Sequence, residues 1–316
     1  MQVTTTAAWA TSKSFIHFRS SMSRPLALVS CAEARHHDTD LSMIIRALQD
    51  RGIVTEITDW DNAAEDWSRF SAAIIRSPWD YHRRYDEFVQ WLDDVSTKTT
   101  LFNSADIVKW NTDKTYLGEM VDAGIPVIPT TFVRGAEDLV LITNDGMLDR
   151  DIVVKPTISA GSNNTERHIE SPVKAAAHLG QLIDSGKVAM VQPYQRFIDE
   201  RGETGMLYFN GEYSHAFRKG AILATGDNVK NGLYTEEDIS SREASSQERE
   251  LGEEVMDFIV DKFGYAPLYA RVDVVRGSAG VPVLMELELA EPSLYLHMER
   301  DAATRFASAV VTVTRK

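Results

Sequence analysis

The sequence predicts a mixed chain, a small parallel α/β domain followed by a larger antiparallel α+β half. Two observations carry this. Over residues 25–104, apolar runs of strand length alternate with amphipathic helical stripes, the order of a parallel sheet with helices between its strands. Beyond residue 131, short alternating strands dominate, the last two joined by a Gly-rich turn.

Each element follows from its own pattern. PLALVSC is an apolar first strand. Leu41, Ile44, Ile45 and Leu48 form the i, i+3, i+4, i+7 stripe of a helix that Gly52 closes. VTEITDW and AAIIRS are the next strands. YDEFVQWLDDV is a helix with Phe88, Leu92 and Val95 on one side, and TLFNS is a fourth short strand. NTDKTYLGEMVDAG predicts one helix, N-capped by Asn111 or Thr112, with Leu117, Met120 and Val121 inward and Gly124 as its stop. Pro126 and Pro129 then force an extended path. DIVVKP, AMVQPY, TGMLYFNG, EYSHAFRK, YARVDVV and VPVLMELE follow as strands, with helices at VKAAAHLGQLID and within 247–263. Residues 222–246 are polar, acidic and rich in breakers, the composition of a mobile loop.

Composition narrows the function. The 316 residues carry a net charge of -14, which argues against sequence-independent nucleic-acid binding. No run reaches the length of a membrane span. The single cysteine, Cys31, permits no internal disulfide and ends an apolar run, so it reads as a buried thiol in a reducing, cytoplasmic protein. Residues 1–24 are Ser/Thr-rich, hold Lys13, Arg19 and Arg24, and lack acids. A disordered extension, or a stretch upstream of a start at Met22, explains them better than a transit peptide.

The chemistry-bearing residues sit on the last two strands. Alternation puts Arg271 and Asp273 on one face, and Glu286 and Glu288 on one face of the partner strand. Carboxylates so placed suit a hard cation such as Mg²⁺, although a solvated hairpin edge also alternates charge. Two lysines favour the functional reading. Lys114 stands near a helix start, where an anion is attracted, and Lys155 ends an aliphatic strand. The small-residue loop ISAGSNN at 158–164 can offer backbone N–H groups to phosphates, though an ordinary turn has the same composition. It is neither a Walker A loop nor G-x-G-x-x-G. MVQPYQRFIDERGE reads as a connector able to receive an adenine and a ribose. No Ser-His-Asp or Cys-His pattern is present, and His82 and His215 read as structural.

Taken in order, these parts resemble the ATP-grasp superfamily, in its glutathione-synthetase-like branch, over residues 25–296. IIRSPWDYHRRYDEF, LFNSADIVKWNTDKTYL, FNGEYSHAFRK and MELELAEPSLYL are most similar to the group of O-ureidoserine cyclo-ligases. The resemblance implies an extension at 1–24, a pre-ATP-grasp α/β domain at 25–104, a lid subdomain at 105–190 and a metal and phosphate subdomain at 191–316. It further implies that Lys114 and Lys155 hold the α- and β-phosphates of ATP, and that Ser159, Gly161 and Ser162 cover them. Gln192 and Tyr194 would line the adenine pocket, and Glu200 or Glu203 would take the ribose. Asp273, Glu286 and Glu288 would bind two Mg²⁺ ions, with Mn²⁺ as a substitute. Arg271 would stabilise the transferring phosphoryl group.

Two departures from the family pattern stand out. Glu288 occupies a position where relatives usually carry Asn, and GDNVKN replaces a G-D-F-R segment. Lys219 or Arg218 would then meet the substrate carboxylate. Arg76, Trp79 and Asp80, near the end of a parallel strand, are candidates for the rest of that pocket, Trp79 being equally suited to the core. The implied activity is ADP-forming ligation of a carboxylate to an amine through an acyl phosphate, intramolecular for a cyclo-ligase. The rivals are an intermolecular amino-acid or peptide ligase and a non-catalytic nucleotide-binding regulator. A small amino-acid-like substrate and a homodimer are the expected partners.

Overall fold

In a computed structural model, residues 24–223 and 238–314 are described. The expected N-terminal extension and most of the 222–246 loop lie outside them. Three sheets organise the chain.

The first holds β1 (Leu26–Ser30), β2 (Thr55–Asp59), β3 (Ala72–Ser77) and β4 (Thr100–Phe102) in the order β2-β1-β3-β4, all parallel. Every residue of β1 and β3 is buried, as a parallel sheet covered on both faces requires. Leu26, Leu28 and Ile74 pack on one face against Ile44 and Leu48 of helix α1 (Asp40–Gln49). Ala27, Val29 and Ile75 pack on the other against Phe88, Leu92 and Val95 of α2 (Tyr85–Ser96). The α/β expectation for this region agrees with that arrangement.

The expected single helix at 111–124 is two. Helix α3 (Ala105–Thr112) ends before Asp113, whose backbone is extended, and α4 (Tyr116–Asp122) begins afresh. Asn111 and Thr112 are therefore the end of one helix, not the N-cap of another. The Asn111 amide donates to the Leu287 carbonyl at 2.8 Å, and its oxygen accepts from Leu289 N–H at 2.6 Å. The backbone N–H of Lys114 donates to Thr157 at 3.0 Å. The Thr157 bond satisfies a backbone N–H freed by the break, and the Asn111 side chain anchors the end of α3 to the backbone at Leu287 and Leu289.

The second sheet is antiparallel and carries two helices. β5 (Thr131–Val133) leads into α5 (Ala136–Asn144). β6 (Ile152–Pro156) and β7 (Glu166–His168) follow, then α6 (Pro172–Asp184) and β8 (Ala189–Pro193), giving the order β5-β8-β6-β7. Val154 and Val191 face a core closed by Ile142, Leu179 and Leu182. Alternation turns Val153 and Lys155 the other way, toward the site. Short α7 (Phe197–Arg201) connects to the third sheet.

That sheet pairs β9 (Glu203–Phe209), β10 (Glu212–Lys219), β11 (Ile239–Arg242), β12 (Tyr269–Arg276) and β13 (Pro282–Glu288) in the antiparallel order β11-β10-β9-β12-β13. Strand β11 falls within the stretch expected to be loop, and so does Ser245, whose capping box with Glu248 starts α8 (Ser246–Phe263). Met206, Val272 and Val274 bury one face of the sheet under Val255 and Ile259 of α8. Leu207, Phe209 and Phe217 pack on the other against Phe306 of α9 (Ala302–Thr314), a helix the sequence reading missed along with α5, β5 and β7. Asn103, 2% exposed, ties the first sheet to the third: its amide reaches the Tyr269 and Leu289 carbonyls, and its oxygen accepts from Leu268 N–H.

Candidate active site

The three sheets face a common cleft of about 210 Å³. Its floor is the β12–β13 pair, whose register sets Arg271 opposite Glu288 and Asp273 opposite Glu286. Arg271 grips Asp273 with Nε at 2.9 Å and Nη2 at 2.7 Å, and Nη2 also bonds Glu288. Burial opposes the Arg271 charge, but Asp273 and Glu288 outweigh it and hold the guanidinium protonated. Gly205 on β9 makes room: a Cβ there would lie 2.3 Å from the Phe217 ring and 3.0 Å from Asp273 Oδ1.

The break between α3 and α4 delivers Lys114, whose Nζ lies 3.1 Å from Glu286 Oε1 and 3.0 Å from the Ser159 carbonyl. Lys155, from the second sheet, comes within 3.9 Å of the other Glu286 oxygen. Burial works against the Glu286 charge, yet the two lysines prevail and hold its carboxyl down at about 2. Glu288 goes the other way. Burial, opposed by Arg271 and reinforced by Asp273 and Glu286, pushes it up to about 8. Lys155 is lowered, chiefly by burial and partly by Lys114. The cleft therefore sets ionised and protonated carboxyl groups side by side.

The walls come from the second sheet and its loop. Ser159, Gly161 and Ser162 border the cleft; Gly161 and Ser162 have φ of 60° and 57°, the left-handed turn that lets the loop fold over it. Asn163 reaches His82 of the first domain at 3.4 Å. Gln192 is buried and donates to Thr130 Oγ1 at 2.8 Å, and Tyr194 carries the Arg167 guanidinium on its ring at 3.3 Å. Glu203, Lys219 and Trp79 complete the predicted residues that line the cleft. Trp79 is also buried, which agrees with its core reading.

Asp273 does not itself border the cleft but lies buried behind Arg271, and four other predicted residues are not brought in. Glu200 sits on the exposed side of α7, leaving Glu203 as the carboxylate at the cleft. Arg218 follows strand alternation away from Lys219 and binds the Arg201 carbonyl and Asp238. Arg76 is fully buried inside β3. It donates to the Pro292 carbonyl at 2.9 Å, 4.0 Å from Asp40, whose carboxylate accepts from Leu294, Tyr295 and Leu296 N–H. It shapes the 292–296 turn that borders the cleft. Asp80 accepts from Trp60 Nε1 and Arg84 instead. His215 bonds the Leu294 carbonyl and is pushed down to about 4 by burial, a structural histidine. Cys31 is a buried thiol, raised to about 11 mainly by that burial.

Residues the sequence reading missed also face the cleft, notably Glu291 and Tyr81. Burial, opposed by Lys114, raises Glu291 to about 7, and Tyr81 hydrogen-bonds its carboxyl. Its signal was available, three residues past Glu288 within MELELAEPSLYL. Ile128, Val153, Ile198, Met285 and Leu287 supply an apolar slot beside Tyr194.

Comparison with known proteins places this cleft in context. Residues 26–103 match the family model described as D-cycloserine synthetase DcsG, N-terminal domain. The cycloserine biosynthesis protein DcsG of Streptomyces lavendulae is 37% identical over 292 residues, covering 90% of this chain and 97% of that protein. The crystal structure of D-cycloserine synthetase DcsG superposes with a TM-score of 0.86 at 35% identity, covering 92% of this chain and 99% of that one. The ATP-grasp ligase PsnB, solved with a precursor variant, Mg and ADP, shares the fold at a TM-score of 0.62 and 14% identity, covering 92% and 98%.

Proposed function

Because the chain belongs to the DcsG family of ATP-grasp ligases, we propose that it closes a ring within one amino-acid-like molecule, O-ureido-D-serine, at the expense of ATP. The observation that carries this reading is the cleft itself, where Lys114, Lys155 and Arg271 converge on the Asp273, Glu286 and Glu288 carboxylates. Lys114 and Lys155 meet the phosphates as point charges, and the 158–164 loop covers them with backbone N–H groups. The slot beside Tyr194 and Gln192 receives the adenine, and Glu203 the ribose.

The donor set fits Mg²⁺. Asp273, Glu286 and Glu288 offer only hard oxygens, and Glu288, held protonated to about 8 in this crowd of carboxylates, is a group that a cation would free to ionise. Two ions suit the three carboxylates, with Mn²⁺ as a substitute. Bound there, Mg²⁺ would neutralise charge on the phosphate oxygens.

The substrate carboxylate, met by Lys219, attacks the γ-phosphorus of ATP; the β,γ-bridging oxygen leaves with ADP, and an acyl phosphate forms. Arg271 stabilises the charge on the transferring group. A nitrogen of the same molecule then attacks the acyl carbon, phosphate leaves and the ring closes. No side chain acts as nucleophile. The loop, docked on His82 through Asn163, keeps water from the acyl phosphate. Among the described residues no helix is long and apolar enough to cross a membrane; a cytoplasmic location suits the ATP supply and the buried thiol, and a homodimer is what the family resemblance implies.

The test is ADP release with MgATP against O-ureido-D-serine, single amino acids and amino-acid pairs, with products weighed by mass spectrometry. ADP with O-ureido-D-serine alone and a cyclised mass is the expected result. ADP only when a separate acid and amine are paired would replace this reading with an intermolecular ligase.

A further inference from the structure

Away from the cleft, on the second sheet, lies a second group of ligating side chains. Glu166 and His168 share a face of β7, and His178 stands on α6 opposite them. One ligand atom from each lies within 4.8 Å of the others. His168 Nε2 and His178 Nδ1 are 3.1 Å apart, and His168 Nε2 is 3.9 Å from Glu166 Oε2. The two rings are 5% and 7% exposed, whereas Glu166 is exposed, so the group opens to solvent on its carboxylate side. None of the three borders the cleft.

We propose that Glu166, His168 and His178 bind a divalent transition-metal ion of the Zn²⁺ type. Two imidazoles and one carboxylate are the three-ligand set of open zinc sites, with the fourth position left to water. Tetrahedral Zn–N bonds of 2.0–2.1 Å require ring nitrogens about 3.3 Å apart. The observed 3.1 Å needs a small outward shift and a turn of both rings toward a common point. Glu166 closes from its longer distance by a rotamer change that its exposed position allows.

The site has a consequence for the cleft. Thr165, next to Glu166, borders the cleft and ends the loop that begins after β6. The Asn164 backbone, at φ 53°, hydrogen-bonds the His178 ring, a contact of the kind that fixes a metal-binding imidazole. An ion joining β7 to α6 therefore pins the far end of the phosphate-covering loop.

Co²⁺ titration of the chelator-treated full chain, in excess Mg²⁺ and ADP to occupy the carboxylate cleft, tests this through visible absorption. The expected result is an intense tetrahedral band that saturates at one equivalent and is displaced by Zn²⁺. His178→Gln should abolish the band. Glu166→Gln, at an exposed position that does not threaten folding, should weaken Co²⁺ affinity by roughly tenfold or more. No band in the wild-type chain, or the same titration in wild type and Glu166→Gln, would overturn the proposal and leave the histidines as a hydrogen-bonded structural pair.

Discussion

Lys114 and Glu286, 172 positions apart in the chain, meet at 3.1 Å with the lysine side chain 8% exposed. Their contact joins the α3–α4 break to the β12–β13 floor, and Lys155 approaches the same carboxylate from the second sheet. One glutamate of the third sheet thus pairs with lysines from two other structural units.

Glu286→Gln removes the charge both lysines face while keeping the side chain's shape. The expected outcome is a loss of ADP formation of about 10²-fold or more, the scale of deleting one preorganised electrostatic partner. Circular dichroism on the same sample should show an intact fold.

Glu288 gives the metal-free protein a defined pH response. Its carboxyl moves from an ordinary 4.5 up to about 8, chiefly through burial. A folded pKa above the unfolded one contributes stability at low pH that is lost as pH rises through the folded value. Glu291, raised to about 7, acts in the same direction. Thermal stability without metal should therefore fall between pH 5 and 8. Glu288→Gln should flatten that fall, and Mg²⁺ with ADP should bind more tightly as pH rises, releasing protons. A metal-free profile unchanged by Glu288→Gln would reject this account.

Lys219 and Arg218 are neighbours with opposite destinations, and a pair of variants separates them. Lys219→Ala should raise KM for the amino-acid substrate about tenfold or more, the cost of a lost charged hydrogen bond. Arg218→Ala, on the far face with Asp238, should leave the steady-state constants unchanged.

Asn103→Ala tests the joint between the first and third sheets. It strands two carbonyls and one N–H, all now bonded at 2.7–2.9 Å in a buried place. Denaturant unfolding should show a loss of roughly 3 kcal/mol or more.

Gly205→Ala forces a methyl against the Phe217 ring and toward Asp273 Oδ1. Overpacking of this kind costs about 1–3 kcal/mol. The added effect on Asp273 should appear as a weaker Mg²⁺ dependence of ADP formation.

What local pattern can specify, the sequence by itself determined. Period-two alternation is a property of the strand, so Arg271 with Asp273 and Glu286 with Glu288 share faces whatever lies around them. Helical stripes between apolar strands likewise set the parallel first sheet before any contact is known. Alternation also separates Arg218 from Lys219, but it does not say which face meets the cleft. Tertiary packing decided that, along with the inward turn of Arg76 and the helix break at Lys114. The break depends on Asn111 bonding β13 and on Lys114 bonding Thr157, partners 43 to 178 positions away in chain order and brought near only by the fold. Glu291 became a site residue for the same reason: its raised pKa comes from burial among groups that only the assembled sheets bring together.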